Sequence, residues 1–141
     1  MFINATQGEV ADLGIAAMRL LVGAESTGGA LGMAEFNGRA GAWTIPHVHH
    51  GLEEYFYVLG GTFTFQCGEE TLLAERGAFL MVPRGTRHVL EATSEAASLL
   101  CLWTPGGLEQ MFLELARLDP QSLTDPAVRA EVSKRHDSVP G

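Results

Sequence analysis

Of the five histidines in the 141-residue chain, three fall within four positions, at His47, His49 and His50. Imidazole nitrogen is a good ligand for divalent transition metals, and side chains on a strand repeat every two residues. An extended backbone therefore turns His47 and His49 to one face and Val48 to the other. His50 has the opposite parity and is left outside the site. Glu53 and Glu54 open the next expected strand, and either carboxylate could complete a mixed histidine and carboxylate set. Strand parity does not choose between them, because Glu54, Phe56 and Val58 share one face, Tyr55, Tyr57 and Leu59 the other, and both are apolar. His88 follows the tight turn Pro83-Arg84-Gly85-Thr86-Arg87, which can bring a third imidazole to the same end of the fold. A single strand histidine is more often structural than a ligand, so the weight lies in all of these occurring together.

Other chemistry is poorly served. Ser94 and Ser98 lack the sharp Gly-flanked turn of a hydrolase nucleophile. Gly23-Ala24-Glu25-Ser26-Thr27-Gly28-Gly29 reads as a loop, without the Lys and the helix of a phosphate cradle. Cys67 and Cys101, the two cysteines, are too few for a disulfide scaffold and are expected to be small buried hydrophobes. His136, beside Lys134 and Arg135, is expected at the surface, and Arg84 and Arg87 as solvated charges at the rim of the site. Nine Lys and Arg against seventeen Asp and Glu leave a net charge of −8, which repels nucleic acid and anionic lipid. Residues 1–23 lack the cationic start and apolar run of a secretory signal, and no apolar stretch reaches the roughly 18 residues of a membrane span. A cytoplasmic location, with neither nucleic acid nor membrane as partner, is the expectation.

The elements that must hold these residues are short. A chain of this length makes one domain, 1–141. Seventeen glycines divide it into pieces rich in β-branched and aromatic residues. Strands are expected around Met18–Val22, Leu31–Phe36, Ala42–His49, Glu54–Leu59, Thr62–Cys67, Thr71–Ala74, Phe79–Val82, Arg87–Ala92 and Ala97–Thr104. So many short strands hide their edges best in a closed barrel or jelly roll. Gly60-Gly61 has the form of a two-residue hairpin, and Gly68-Glu69-Glu70 turns the next. Trp43, Phe36, Phe56, Phe65, Phe79, Met81 and Trp103 all lie on expected strands, so a mostly apolar interior follows. After residue 105 the period changes: Leu108, Met111, Phe112, Leu115 and Leu118 mark an amphipathic helix that covers the barrel or another subunit. Asp125-Pro126 starts a second helix reaching about Arg135, after which the tail Ser138–Gly141 is expected to fray.

Two segments resemble the motifs of the cupin superfamily. The first, G-x5-HxH-x3,4-E-x6-G, is met by Gly41, His47, His49, Glu54 and Gly61; Glu53 with Gly60 also fits, through the shorter spacing. Glu54 is preferred because Gly61 takes the place of the motif glycine in YFYVLGGTFTF. The second, G-x5-PxG-x2-H-x3-N, is met by Gly77, Pro83, Gly85 and His88, with Ala92 replacing the final Asn. Fifteen residues, Thr62 to Arg76, separate the motifs, similar to small bacterial cupins. The resemblance covers roughly residues 30 to 105, and TPGGLEQMFLELARL looks like the helix that follows the barrel in quercetin-dioxygenase-like members.

The resemblance implies an all-β double-stranded β-helix, or jelly-roll barrel, over about 15–105, with C-terminal helices over about 106–136. It implies one divalent metal per chain, iron, manganese, nickel or zinc, held by His47, His49, Glu54 and His88. Glu54 is also the candidate catalytic base. A dioxygenase-type enzyme acting on a small aromatic or enolisable substrate with dioxygen is the leading expectation. A non-oxidative isomerase or polyketide cyclase, and a metal-dependent sensor, are the alternatives. Homodimers are implied as well.

Overall fold

Along Ala97–Thr104 every second side chain is buried, from Ala97 through Leu99 and Cys101 to Trp103. That period-two pattern is what a strand with one face on a core requires, and it recurs through most of the chain. A computed structural model describes all residues 1–141. In chain order the elements are β1 (Val10–Asp12), β2 (Ala16–Val22), the single turn α1 (Ala24–Thr27), β3 (Gly32–Gly38), β4 (Gly41–Ala42), β5 (His47–Val48), β6 (Glu53–Gly60), β7 (Thr62–Cys67), β8 (Glu70–Glu75), β9 (Phe79–Val82), β10 (His88–Ala92), β11 (Ala97–Thr104), α2 (Glu109–Ala116), α3 (Pro120–Leu123), α4 (Pro126–Lys134) and β12 (Val139–Pro140). All pairings are antiparallel, in two sheets ordered β1-β2-β3-β11-β6-β9 and β12-β5-β10-β7-β8, with β4 also on β10. Phe56, Val58, Phe63, Phe65, Leu90 and Leu99 from both sheets meet in the core. Barrel and C-terminal helices are thus as the sequence implied.

Four local expectations need correction. Gly60-Gly61 is not a hairpin: β6 pairs with β9 and β11, whereas β7 pairs with β8 and β10. The glycines carry the chain from one sheet to the other. Gly61 has φ +72°, and a Cβ there would sit 2.3 Å from the Ala96 carbonyl oxygen. Gly61→Ala is therefore expected to cost about 2–3 kcal/mol, from overpacking and a left-handed backbone, measurable by denaturant unfolding. Gly68-Glu69, by contrast, does join a hairpin, β7 to β8.

The expected strand Ala42–His49 is broken, because Trp43 and Thr44 leave the ladder to donate to the Leu90 carbonyl at 3.2 and 3.4 Å and Pro46 has no N–H to give. Cys67, at the hairpin end of β7, is only half-buried, while Cys101 is buried as expected. The tail does not fray. Val139 and Pro140 pair with Val48 and His47, and the Gly141 N–H donates to the Pro46 carbonyl at 3.1 Å.

The helices close one end of the barrel. Phe112 of α2 meets Phe36 edge-on at 5.0 Å between ring centroids. Asp125 caps α4, accepting from the Ala127 N–H at 2.9 Å with Pro126 in the first turn. Glu109 fixes the start of α2 from inside: it is 1% exposed. Its carboxylate accepts from the Ala24 N–H at 2.6 Å and from Trp103 Nε1 and the Gly107 N–H at 2.8 Å each. Gly23 and Gly32 make room, since a Cβ on either would lie 2.6 Å or less from Glu109 or Trp103. No helix is long and apolar enough to cross a membrane.

Candidate metal centre

His47, His49 and His88 come from one sheet and Glu54 from the other. β10 sets His88 opposite His47 on β5, and His49 lies one residue beyond that strand. β6, held between β11 and β9, turns Glu54 inward on the face it shares with Phe56 and Val58. One ligand atom from each of these four buried residues lies within 4.8 Å of all the others. Strand register thus resolves the choice that parity left open. Glu53 points outward and pairs with Arg84.

The hydrogen bonds of the three rings decide whether the group fits a cation. His47 Nδ1 donates to the Ile45 carbonyl at 2.7 Å, His49 Nδ1 to the Asp137 carbonyl at 2.6 Å and His88 Nδ1 to the Thr86 carbonyl at 2.9 Å. A carbonyl only accepts, so each Nδ1 carries a proton and each ring turns its Nε2 toward the centre of the group. His49 Nε2 is buried without a hydrogen-bond partner, although Glu54 Oε1 lies 2.5 Å away. His88 Nε2 is 3.1 Å from the same oxygen. A buried carboxylate facing imidazole nitrogens calls for positive charge among them, from a proton or a cation, and backbone-anchored imidazoles with one carboxylate are what a divalent transition metal takes. The residues fit such an ion.

Burial and the nearby His88 push the pKa of His47 down to about 4, so its ring is neutral at physiological pH. Burial opposes charge on Glu54, but contacts with His49 and His88 outweigh it and hold the carboxyl well below its usual range. For His49, burial is outweighed by Glu54 and by the Asp137 carbonyl, and its pKa is raised. Burial and Glu54 together push the Cys101 thiol well above its ordinary value, which keeps it protonated and inert.

The centre opens on a cavity of about 540 Å³. Phe36, Trp43, Phe56, Leu99, Met111 and Leu115 are among its apolar walls, with Leu108 and Phe112 of α2 across one side. The amphipathic helix therefore covers this barrel itself. Phe79 and Met81 face the other way, 63% and 42% exposed on the outer sheet surface.

His50 and His136 stay outside the group, as expected. The His50 ring is exposed, and His136 Nε2 meets Glu114 Oε2 at 2.6 Å, tying the end of α4 to α2. Arg87 is exposed and outside the cavity lining, with its Nε donating to the Gly141 carbonyl. Sequence reasoning missed Asp137. Its carbonyl orients His49, while its carboxylate accepts from the His50 N–H at 2.9 Å and the Gly51 N–H at 2.7 Å. Its φ of +57° is one that Asp and Asn adopt more readily than Ala. No spacing signal links residues so far apart. Asp137→Ala is expected to weaken metal binding about 10- to 100-fold, with Asp137→Asn closer to wild type, by competition titration.

An antiparallel double-sheet barrel with a His-His-Glu-His group at its inner end defines a class of small β-barrel proteins. The chain is a cupin: residues 35–104 match the family model described as "Cupin domain". Among solved structures, KdgF from Halomonas sp. superposes with a TM-score of 0.70 at 18% identity, over 78% of this chain and 97% of that one. A predicted oxalate decarboxylase from Thermotoga maritima gives 0.67 at 18%, over 74% and 99%. A Streptomyces nucleoside dehydratase gives 0.62 at 13%, over 78% and 86%. At these identities the likeness is one of fold. No curated protein matches the chain in sequence.

Proposed function

We propose that the protein is a metal-dependent enzyme of the dioxygenase type, acting on a small aromatic or enolisable substrate beside an ion held by His47, His49, Glu54 and His88. The observation that carries this is the convergence of three imidazoles and one carboxylate at the end of an apolar cavity of about 540 Å³. Iron, manganese or nickel bound there would supply a Lewis-acidic and redox-active centre with room for substrate and dioxygen.

The chain's own residues do the rest. Glu54 is the only acidic side chain on the cavity wall, and once released from the ion it would take a proton from an acidic C–H or O–H of the substrate. Phe36, Trp43 and Phe56 hold a flat apolar body, and α2 keeps bulk water from it. An oxygen electrode tests this on the iron-, manganese- or nickel-loaded protein with a panel of flavonols, catechols and 1,3-diketones. Uptake that stops in His88→Ala is expected. Turnover that proceeds equally without oxygen would overturn the oxidative reading in favour of proton-transfer or lyase chemistry, the kind that the nucleoside dehydratase and the predicted oxalate decarboxylase of like fold are named for.

The reading includes a homodimer. β9 is an edge strand, and Phe79, Met81 and the neighbouring Tyr57 stand exposed beside it, an apolar strip suited to a second copy. Sedimentation equilibrium is expected to return twice the chain mass, and a monomer at micromolar concentration would refute it.

A further inference from the structure

One wall of the cavity is a face of α4, on which Pro126, Arg129, Ala130 and Ser133 recur at helical spacing. The cation among them differs from half of the other eight in this acidic chain. Arg19, Arg84, Lys134 and Arg135 each pair with a glutamate. Arg129 pairs with none. Its single hydrogen bond runs from Nη1 to the Leu123 carbonyl at 3.0 Å, which pins the guanidinium at the junction of α3 and α4. That bond uses one of five N–H donors and leaves most of a planar, bidentate fork unused.

Resting on the metal-centre reading, we propose that the cavity takes an organic carboxylate with an apolar body, whose carboxylate is held by the half-buried Arg129 guanidinium on α4.

The cavity's charge pattern supports this. Its wall carries two cations, Arg129 and the exposed Arg39, and a single acid, Glu54, whose charge faces the histidines. With a divalent ion in place the interior is net positive. A half-buried cation among apolar side chains is costly until an anion meets it, and burial already lowers the pKa of Arg129. Guanidinium and carboxylate match in plane and spacing, and their paired hydrogen bonds strengthen where water is excluded. Leu108, Met111, Phe112, Leu115 and Leu123 surround the remaining volume and would enclose the ligand's apolar part. That lining, with one inner guanidinium, favours a carboxylate over the more strongly hydrated dianion of a phosphate ester. Arg39, exposed at the mouth, where its Nη1 donates to the Gly14 carbonyl at 3.0 Å, adds attraction on approach.

Calorimetric titration of the whole chain, metal-stripped and zinc-loaded, with 3-phenylpropionate, 3-phenylpropionamide and phenyl phosphate tests this. The acid is expected to bind at least about tenfold more tightly than the amide in both forms, and more tightly than the phosphate. Arg129→Gln is expected to bring the acid down to the level of the amide while zinc stoichiometry and melting temperature hold. Should that variant unfold, Arg129→Lys decides: it keeps the charge and loses the fork, so the acid is expected to weaken about threefold or more with the amide unmoved. Equal binding of acid and amide, tighter binding of the phosphate, a preference that survives in Arg129→Gln, or no binding of the acid at millimolar concentration would each overturn the proposal. If zinc is not taken up but the acid preference still depends on Arg129, the metal reading fails and this one stands.

Discussion

Glu54→Gln is expected to cost at least about a hundredfold in metal affinity, while Glu53→Gln leaves it unchanged. The two residues are adjacent and chemically alike, so the contrast isolates geometry. Glu54 is buried with Oε1 within 3.1 Å of two imidazole nitrogens, and Glu53 faces solvent against Arg84. Three neutral imidazoles and one carboxylate reduce a divalent ion to a net charge of about +1, and glutamine would leave about +2 in an apolar interior. His88→Ala should match Glu54→Gln. Elemental analysis and competition titration on untagged protein measure both. Zinc at about a thousand times the wild-type Kd should stabilise the wild type by about 4 kcal/mol and Glu54→Gln by no more than about 1.4 kcal/mol. Equal loss in the two glutamate variants would mean that the register of β6 is wrong.

Glu109→Ala is expected to lower unfolding free energy by about 3–5 kcal/mol, as much as truncating a large core side chain. Three donors converge on this carboxylate, from α1, β11 and the turn before α2. Alanine would orphan all three in a place water reaches poorly. Glutamine keeps the shape but turns an amide N–H₂ toward at least one donor, so it should cost roughly half as much. The pH dependence has a definite sign. Burial alone would raise the Glu109 pKa, but its hydrogen bonds with Ala24, Trp103 and Gly107 outweigh that and lower it. A depressed folded-state value gives stability that is present above the unfolded value, about 4.5, and is lost as pH falls through the folded one. Urea unfolding from pH 7 to pH 3 should therefore show a steeper acid loss in wild type than in Glu109→Gln, and parallel curves would refute the assignment.

Strands whose buried and exposed residues alternate, such as Thr62–Cys67 and Ala97–Thr104, were legible to the residue, because period two leaves a clear mark. So was α4, with its Asp-Pro start. Gly60-Gly61 misled for a physical reason: a glycine pair reports a sharp change of direction but not whether the next strand turns back beside the last or crosses to the facing sheet. The candidate ligands were legible as a cluster, and the glutamate only by likeness, since β6 is apolar on both faces and its register depends on β11 and β9. Asp137, Arg129 and Glu109 were invisible as site or anchor residues. Each acts through a fold-made contact with a distant segment, and a charged residue in a helix or tail ordinarily reads as a solvated one.

The bond from His49 to Asp137 spans 88 positions of the chain, and this orders events during synthesis. Strands β2 to β11 can find one another while the ribosome is still adding the helices, but the imidazole of His49 has no partner to hold its tautomer until residue 137 has emerged. Full affinity for an ion would thereby be reached only in the last moments of translation or in the released chain, so a product cut short after α4 is expected to fold its barrel yet hold a metal about 10- to 100-fold more weakly.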